Sequence, residues 1–190
     1  TVIDKKTNTL YQYDENNKLI NQFRVGLGKD IGDKFTINSK NKKIDRNISG
    51  AGVYNTVART SNKSYKHEYD NKIVLLENEK GVRQAMSIHQ LPNSLKRKRQ
   101  EALNNADLTD DDFSNGCINC NKEQFEQYNK LVTPGQPVYV LPEEPGNFFT
   151  VKNKKLSFTT NKNKEYGQYN FSPKSEEYFP LDVKSKNPTE

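Results

Sequence analysis

The stretch VIDKKTNTLYQYDENNKLINQFRVGLG, residues 2–28, decides the fold class of this chain. Apolar residues recur in short alternations around Leu10 and again around Phe23, and the turn-rich segment 14–17 separates the two. An alternation with a period of two is typical of half-buried strands, and Asp and Asn favour the tight turns that join them. The opening segment therefore predicts antiparallel hairpins.

Strand-like runs continue along the chain. They are short, rich in β-branched and aromatic residues, and separated by stretches of Gly, Asn, Lys and Ser. They lie at residues 34–37, 52–57, 73–76 and 137–141. The sequence therefore predicts a mainly β protein.

Two segments predict helices. In the first, Leu95, Ala102 and Leu103 fall on one face, while residues 96–99 (KRKR) make the other face strongly basic. The second begins near Asn121, which with Gln124 resembles a capping box, and its apolar stripe continues to residue 132 before Pro and Gly end it. We therefore expect about two helices beside the strands.

Composition limits the classes of protein that this chain can be. Ile, Leu, Val and Phe make up 42 of 190 residues, so the core is thin, and 19 Tyr and Phe partly compensate. The longest aliphatic run, residues 73–76, is far shorter than the roughly 18 apolar residues that cross a membrane. The net charge of +6 is spread along the chain, which predicts a basic surface and no nucleic-acid binding.

The character of the chain changes after Leu141. Two prolines and a glycine follow, then a possible hairpin over residues 148–160, then a tail rich in Lys, Asn and Pro. We therefore predict a main domain over residues 1–145 and a C-terminal extension over residues 146–190. The start at Thr1, without Met or an apolar leader, fits a removed signal peptide or a trimmed start.

Cys117 is the candidate nucleophile. It lies in SNGCIN, residues 114–119, where the preceding glycine lets the backbone bend so that N–H groups can point at a bound carbonyl oxygen. A thiol needs a base or a positive field to react at neutral pH. His89, at the end of an apolar run, is a better candidate base than His67, which lies in a polar stretch. The alternative is a cysteine that only packs.

The order of these residues narrows the class of cysteine enzyme. Both histidines precede Cys117, whereas papain-like enzymes place the base after the nucleophile. Sortase-like enzymes need a downstream arginine, and no arginine follows Arg99. Neither class fits this chain.

The pairing of SIH (residues 87–89) with SNGCIN resembles the signature of the L,D-transpeptidase family, a His followed by Ser/Thr-His-Gly-Cys-x-Asn/Arg. The opening hairpin is similar to that of the family. ISGAGVY (48–54) takes the place of its glycine-rich loop, and VTPGQPVYVL (132–141) resembles its closing helix end and strand. The resemblance covers residues 2–141 and implies a β-sandwich or barrel-like catalytic fold.

The resemblance also implies roles for the residues around Cys117. Cys117 would be the acyl-accepting nucleophile and His89 its base. The backbone of Gly116 and Cys117 would form the oxyanion hole, which Ser114 and Asn119 would shape. The substrate would be a peptidoglycan stem peptide: the sulfur attacks the third residue of a tetrapeptide, releases D-Ala, and passes the acyl group to an amine or to water.

This chain departs from the family pattern in three places. Asn115 replaces a histidine, although it can still bind substrate through hydrogen bonds. The gap of 28 residues between His89 and Cys117 holds the basic helix, which is either a lid or wall of the site or a surface insertion. Cys120 stands where an apolar residue is usual, and packing, a regulatory disulfide or a metal site could explain it.

From the resemblance we expect a periplasmic or cell-wall-associated enzyme that uses no metal and no cofactor. An L,D-carboxypeptidase and a wall-binding module without turnover are the alternatives. Residues 110–112, three consecutive Asp, are expected to be solvated in a turn. The oligomeric state and the group that orients His89 are left open.

Overall fold

The computed structural model describes residues 1–34, 47–57, 73–78, 83–105, 107, 111–144, 148–152, 155–159 and 165–170. The described helices are α1 (Lys96–Asn104), which follows a 3-10 turn at Asn93–Leu95, and α2 (Lys122–Leu131). The described strands are β1 (Val2–Asp4), β2 (Thr9–Tyr13), β3 (Leu19–Arg24), β4 (Leu27–Gly28), β5 (Gly52–Thr56), β6 (Ile73–Glu77), β7 (Arg83–Gln90), β8 (Asp112–Ser114), β9 (Ile118–Cys120), β10 (Pro137–Val140), β11 (Phe148–Lys152), β12 (Lys155–Thr159) and β13 (Glu165–Asn170).

Eight strands form one curled, mixed half-barrel sheet in the order β3-β2-β1-β10-β5-β6-β7-β9. The pairs β1–β10 and β7–β9 are parallel, and the other neighbours are antiparallel. The mainly β class with two helices is therefore confirmed. The predicted opening hairpins are strands β1 to β3, with Leu10 paired to both Ile3 and Phe23.

The predicted strands at 52–57, 73–76 and 137–141 correspond to β5, β6 and β10. The one predicted at 34–37 lies almost entirely outside the described residues. Burial explains why these runs form strands. The core cluster takes alternate residues from the opening strands, whereas β6 buries four residues in succession, as a strand covered on both faces does.

Helix α2 packs against the core of the sheet. Phe125 and Tyr128, one turn apart, are fully buried and join the same cluster as the sheet residues. The capping box expected at Asn121 is wrong, because its side chain makes no cap hydrogen bond. Asn121 instead accepts a hydrogen bond from Gln100 and contacts Asn104, so it joins the two helices.

A buried ion cluster holds the end of the first described segment, residues 1–34, in place. The Lys5 ammonium lies 3.1 Å from the Asp33 carboxylate and 2.7 Å from that of Glu143, and all three groups are largely shielded from solvent. Asp33 also accepts the backbone N–H of Glu143 at 2.9 Å. These contacts hold β1, the loop before residue 35 and the segment after β10 in one arrangement.

Strands β11 to β13 form a separate antiparallel sheet of three strands. The first two occupy the region where the sequence suggested a hairpin. The division of the chain at residue 145 stays a prediction.

Candidate active site

The parallel pairing of β7 with β9 brings the candidate nucleophile and base together. Its register sets Ile88 opposite Ile118 and His89 opposite Asn119. Cys117 directly precedes β9, so the same register continues it beside Ser87. Because side chains alternate between the faces of a sheet, Ser87, His89 and Cys117 share one face.

The other face of the same two strands is mainly apolar and also carries the buried Gln90. Met86, Ile88, Ile118 and Cys120 all belong to the buried core cluster. The core thus fixes the register of β7 against β9, because a slip of one residue would exchange the two faces. Packing on one side of the sheet positions the polar groups on the other.

The Cys117 thiol is half-buried and has two polar neighbours on β7. Its Sγ lies 3.4 Å from the Ser87 Oγ and is hydrogen-bonded to the His89 side chain. Burial raises the pKa of Cys117, but the hydrogen bond and charge of His89, with hydrogen bonds from the Ser87 side chain and backbone, outweigh it. The net pKa falls from 9.0 to about 7, so a large fraction of this sulfur is thiolate at neutral pH.

His89 is held by the backbone of the next residue. Its Nδ1 lies 2.7 Å from the carbonyl oxygen of Gln90. A carbonyl can only accept, so Nδ1 carries the proton and Nε2 is left to receive one from the thiol. The orienting group that the sequence left open is therefore a main-chain carbonyl.

The loop before β9 is built around Gly116. Its φ of 92° lies in the left-handed region that side chains rarely adopt. Its N–H donates to Ser114 Oγ at 3.0 Å, and the same hydroxyl donates to the Cys117 carbonyl oxygen at 2.6 Å. Asn119 Nδ2 donates to that oxygen at 3.0 Å. Two side chains thus fix the backbone of Cys117, and Asn115 is exposed at the tip of the loop.

This arrangement bears on the expected oxyanion hole. The Gly116 N–H already donates within the loop, so in this conformation it is engaged by Ser114. Gly116 therefore supplies the turn, and the oxyanion hole expected from Gly116 and Cys117 stays a prediction.

A second layer supports the loop from the segment that resembled the family's glycine-rich loop. Ser49, nearly fully buried, donates through its Oγ to the Gly116 carbonyl oxygen at 3.0 Å and accepts the N–H of Gly28 at 2.9 Å. The N–H of Lys29 donates to the Ser114 carbonyl oxygen at 3.0 Å. The sequence analysis did not assign these contacts, because they join residues far apart in the chain.

The expectation of solvated aspartates at 110–112 is wrong for Asp111. This residue is fully buried and forms an ion pair with Arg24, which also donates to the carbonyl oxygens of Asn105 and Asp107. Arg24 offsets the charge of Asp111. Residue 110 and the side chain of residue 112 lie outside what the structure describes.

Helix α1 is attached to the strand that leads into the loop. The Arg99 guanidinium lies 4.9 Å from the centroid of the Phe113 ring and donates to the Phe113 carbonyl oxygen at 3.1 Å. Phe113 in turn lies against Gly26, where a Cβ atom would meet its ring at 2.2 Å. The basic helix thus borders β8, next to Ser114.

Cys120 packs in the core. It is fully buried on the face opposite Cys117, both cysteines are free thiols, and burial raises the pKa of Cys120 far above its ordinary value. Within the described ranges, no three or more His, Cys, Asp or Glu side chains group as metal ligands do. His67, which the metal alternative needs, lies outside those ranges.

Ser87 is the site residue that sequence reasoning missed. In a strand, the residue two positions before His89 lies on the same face as His89. That alternation was the signal available in the sequence.

The comparisons with known proteins identify a family for this chain. The family described as the YkuD L,D-transpeptidase catalytic domain matches residues 1–140. No curated protein matches the chain. No helix in the described part of the chain is both long enough and apolar enough to cross a membrane.

Several solved structures are similar to this chain. L,D-transpeptidase 1 from Mycobacterium tuberculosis has 14% identity over 73% of this chain and 59% of that chain, with a TM-score of 0.43. An L,D-transpeptidase from Mycobacterium smegmatis has 14% identity over 73% and 56%, with a TM-score of 0.41. A mutant L,D-transpeptidase from Enterococcus faecium has 15% identity over 74% and 48%, with a TM-score of 0.38. The match therefore spans less than two thirds of the length of each.

Proposed function

This chain belongs to the YkuD family of L,D-transpeptidase catalytic domains, which act on peptidoglycan stem peptides, and we propose that it is itself a cysteine acyltransferase for tetrapeptide stems. The observation that carries the proposal is the contact of Cys117 with His89 at the end of the β7–β9 pair, with the pKa of the thiol lowered to about 7. A half-buried thiol that is reactive at neutral pH fits a nucleophile better than a packing residue.

The first half of the reaction forms a thioester. The proton of the Cys117 thiol passes to His89 Nε2, and the thiolate attacks the carbonyl carbon of the third stem residue. The backbone N–H of Cys117 lies in the peptide plane that Ser49 holds through the Gly116 carbonyl oxygen, and it is suited to stabilise the oxyanion. The C–N bond then breaks, the His89 imidazolium gives its proton to the leaving amine, and D-Ala departs.

The second half of the reaction breaks the thioester and restores the free enzyme. An acceptor amine attacks the thioester carbon and loses a proton to His89, the C–S bond breaks, and Cys117 leaves as a thiolate. An amine on another stem gives a cross-link, whereas water gives a trimmed tripeptide. Sulfur, imidazole and backbone groups are sufficient for these steps, so the scheme uses no cofactor.

The proposed wall of the site is helix α1. Its contact with β8 through Arg99 places a basic element beside the strand that leads to Ser114. The carboxylates of stem peptides are a suitable counterpart for such a surface. The substrate also implies that the enzyme works outside the cytoplasm, at the cell wall.

The test is the mass of the protein after incubation with purified tetrapeptide muropeptide. We expect a covalent adduct on Cys117 that equals the muropeptide minus D-Ala. With an amine acceptor, the products should include a cross-linked dimer. Free tripeptide alone would identify a carboxypeptidase.

A second reagent tests the site without a natural substrate. A carbapenem is expected to give a one-to-one adduct on Cys117 at neutral pH. If neither the muropeptide nor the carbapenem modifies a correctly folded protein, the enzyme proposal is wrong and a wall-binding module remains.

A further inference from the structure

We propose that Ser87 is a third catalytic residue, whose hydroxyl donates a hydrogen bond to the sulfur of Cys117 whenever that sulfur is a thiolate. This inference rests on the proposed function, because it assigns a role in the same thiol chemistry. It concerns both the resting enzyme and the step in which the thioester breaks down.

The fold places Ser87 at the sulfur by register. Ser87 extends the pairing of Ile88 with Ile118 by one position, which sets it beside Cys117. Its Oγ lies 3.4 Å from Sγ, and only 9% of the residue is exposed. The neighbouring positions of β7 face the core, so Ser87 cannot leave the polar face without breaking the sheet.

The chemistry makes this contact depend on charge. A thiol can donate or accept, but a thiolate can only accept, so the Ser87 hydroxyl must then be the donor. Hydrogen bonds to charged groups are stronger than those between neutral groups. The contact therefore favours the thiolate over the thiol, as does the hydrogen bond from the Ser87 backbone.

The same reasoning applies to the second half of the reaction. The sulfur of a thioester carries no full charge and accepts hydrogen bonds weakly. As the C–S bond breaks, charge returns to the sulfur, and the Ser87 hydroxyl gains a strong acceptor. Ser87 thus stabilises the leaving group, and a thiol with a lower pKa leaves faster.

His89 is, among the described residues, the titratable group whose charge acts on the Cys117 sulfur. Ser87 adds a donor that has no charge of its own and does not titrate in the working range. Its removal should therefore change the Cys117 pKa while the His89 contact stays intact.

The experiment measures the alkylation rate of Cys117 by iodoacetamide from pH 5 to pH 9.5, by intact mass, in the wild type and in Ser87→Ala. We expect the pKa of Cys117 to rise by about one unit in the variant. Since thiolate nucleophilicity rises with pKa with a coefficient of about 0.4–0.5, the two profiles should cross. The variant should react about threefold more slowly at pH 5.5 and about threefold faster at pH 9.5.

Two variants serve as controls. Thr56→Val removes a buried hydroxyl that donates to the Thr133 carbonyl oxygen at 2.6 Å in β5, and it should leave the alkylation profile unchanged. Ser87→Thr keeps a donor at the site and should return the pKa toward the wild-type value. A variant that merely damages the fold lowers or raises the rate at every pH and gives no crossing.

The two proposals fail in different ways. If Ser87→Ala keeps the wild-type profile, Ser87 has no catalytic role, and thioester formation with muropeptide is unaffected by that result. If the wild type itself titrates near 9, the activated thiol on which the proposed function depends is absent. Thioester hydrolysis should also be about threefold slower in Ser87→Ala, and an unchanged hydrolysis rate would overturn the leaving-group role.

Discussion

The two faces of the β7–β9 pair carry two cysteines with opposite chemistry. Cys117 lies on the polar face beside Ser87 and His89, and its pKa is lowered to about 7. Cys120, three residues further on, is fully buried in the core, and its pKa is raised. Burial raises the pKa of both thiols, so burial alone does not explain why only Cys117 is reactive. Hydrogen bonds and the charge of His89 lower the pKa of Cys117 and make it reactive. Burial alone acts on the pKa of Cys120, so that thiol stays protonated and inert.

The comparison also shows how the two faces depend on each other. Ile88 and Ile118 pair directly across the two strands and are fully buried. Their packing fixes the register that places His89 and Cys117 in contact. The apolar face is thus a support for the reactive one.

Replacing each cysteine by alanine gives the largest contrast. Cys117→Ala should form no thioester with muropeptide at any pH, because the sulfur that accepts the acyl group is gone. Cys120→Ala should keep the reaction and lower the free energy of unfolding by about 1 kcal/mol, through the small cavity it leaves. Intact mass and denaturant unfolding measure the two effects. Acylation of Cys117→Ala would contradict the assignment of the nucleophile.

The second largest effect is expected from His89→Ala. Loss of the base should reduce acylation by about 10²–10⁴-fold. The alkylation profile of Cys117 should also move to higher pH, because both the hydrogen bond and the positive charge that stabilise the thiolate are gone. Rapid-quench mass spectrometry gives the rate, and an unshifted profile would show that His89 does not act on the sulfur.

Ile118→Ala tests the supporting face. Removing this buried side chain should lower the free energy of unfolding by about 2–5 kcal/mol, the range for large-to-small changes in a core. The alkylation rate per folded molecule should stay within about threefold, because no donor to the sulfur is lost. Chemical denaturation measures the loss of stability, and alkylation under native conditions measures the reactivity of Cys117. A large change in the Cys117 pKa with little loss of stability would contradict the view that the apolar face only supports the site.

The pH dependence of the wild type is a test that needs no substitution. Because the pKa of Cys117 is lowered to about 7, the thiolate is lost as the pH falls through that value. Alkylation should drop about tenfold per unit below pH 6 and level off above pH 8. Cys120 should stay unmodified across this range, since it is buried and protonated. Modification of Cys120 in the native protein would mean that the core face opens.

Much of the fold could be predicted from the local sequence, and so could the candidate nucleophile and base. The alternation around Leu10 and Phe23 indicated hairpins, and the apolar stripe ending at residue 132 indicated a helix. Both depend on periodicities within one element, which tertiary packing only confirms. The family resemblance rested on short motifs that are contiguous in the chain.

What the sequence analysis missed depends on distant pairings. Asp111 appeared solvated because its neighbours are polar, yet Arg24, 87 residues away, pairs with it in the interior. Asn121 is the N-cap residue of α2, as the sequence indicated, yet its side chain accepts a hydrogen bond from Gln100 and does not cap the helix. In both cases a residue brought close by the fold, and not a neighbour along the chain, binds the side chain.

The sequence by itself determined a mainly β chain and singled out Cys117 and His89 as residues with suitable chemistry, because composition, periodicity and short motifs are properties of neighbours along the chain. Only the tertiary structure decided that these two meet, that Ser87 joins them, and that Cys120 turns away. The physical reason is that register between strands is set by the packing of a common core, to which residues far apart in the chain contribute together.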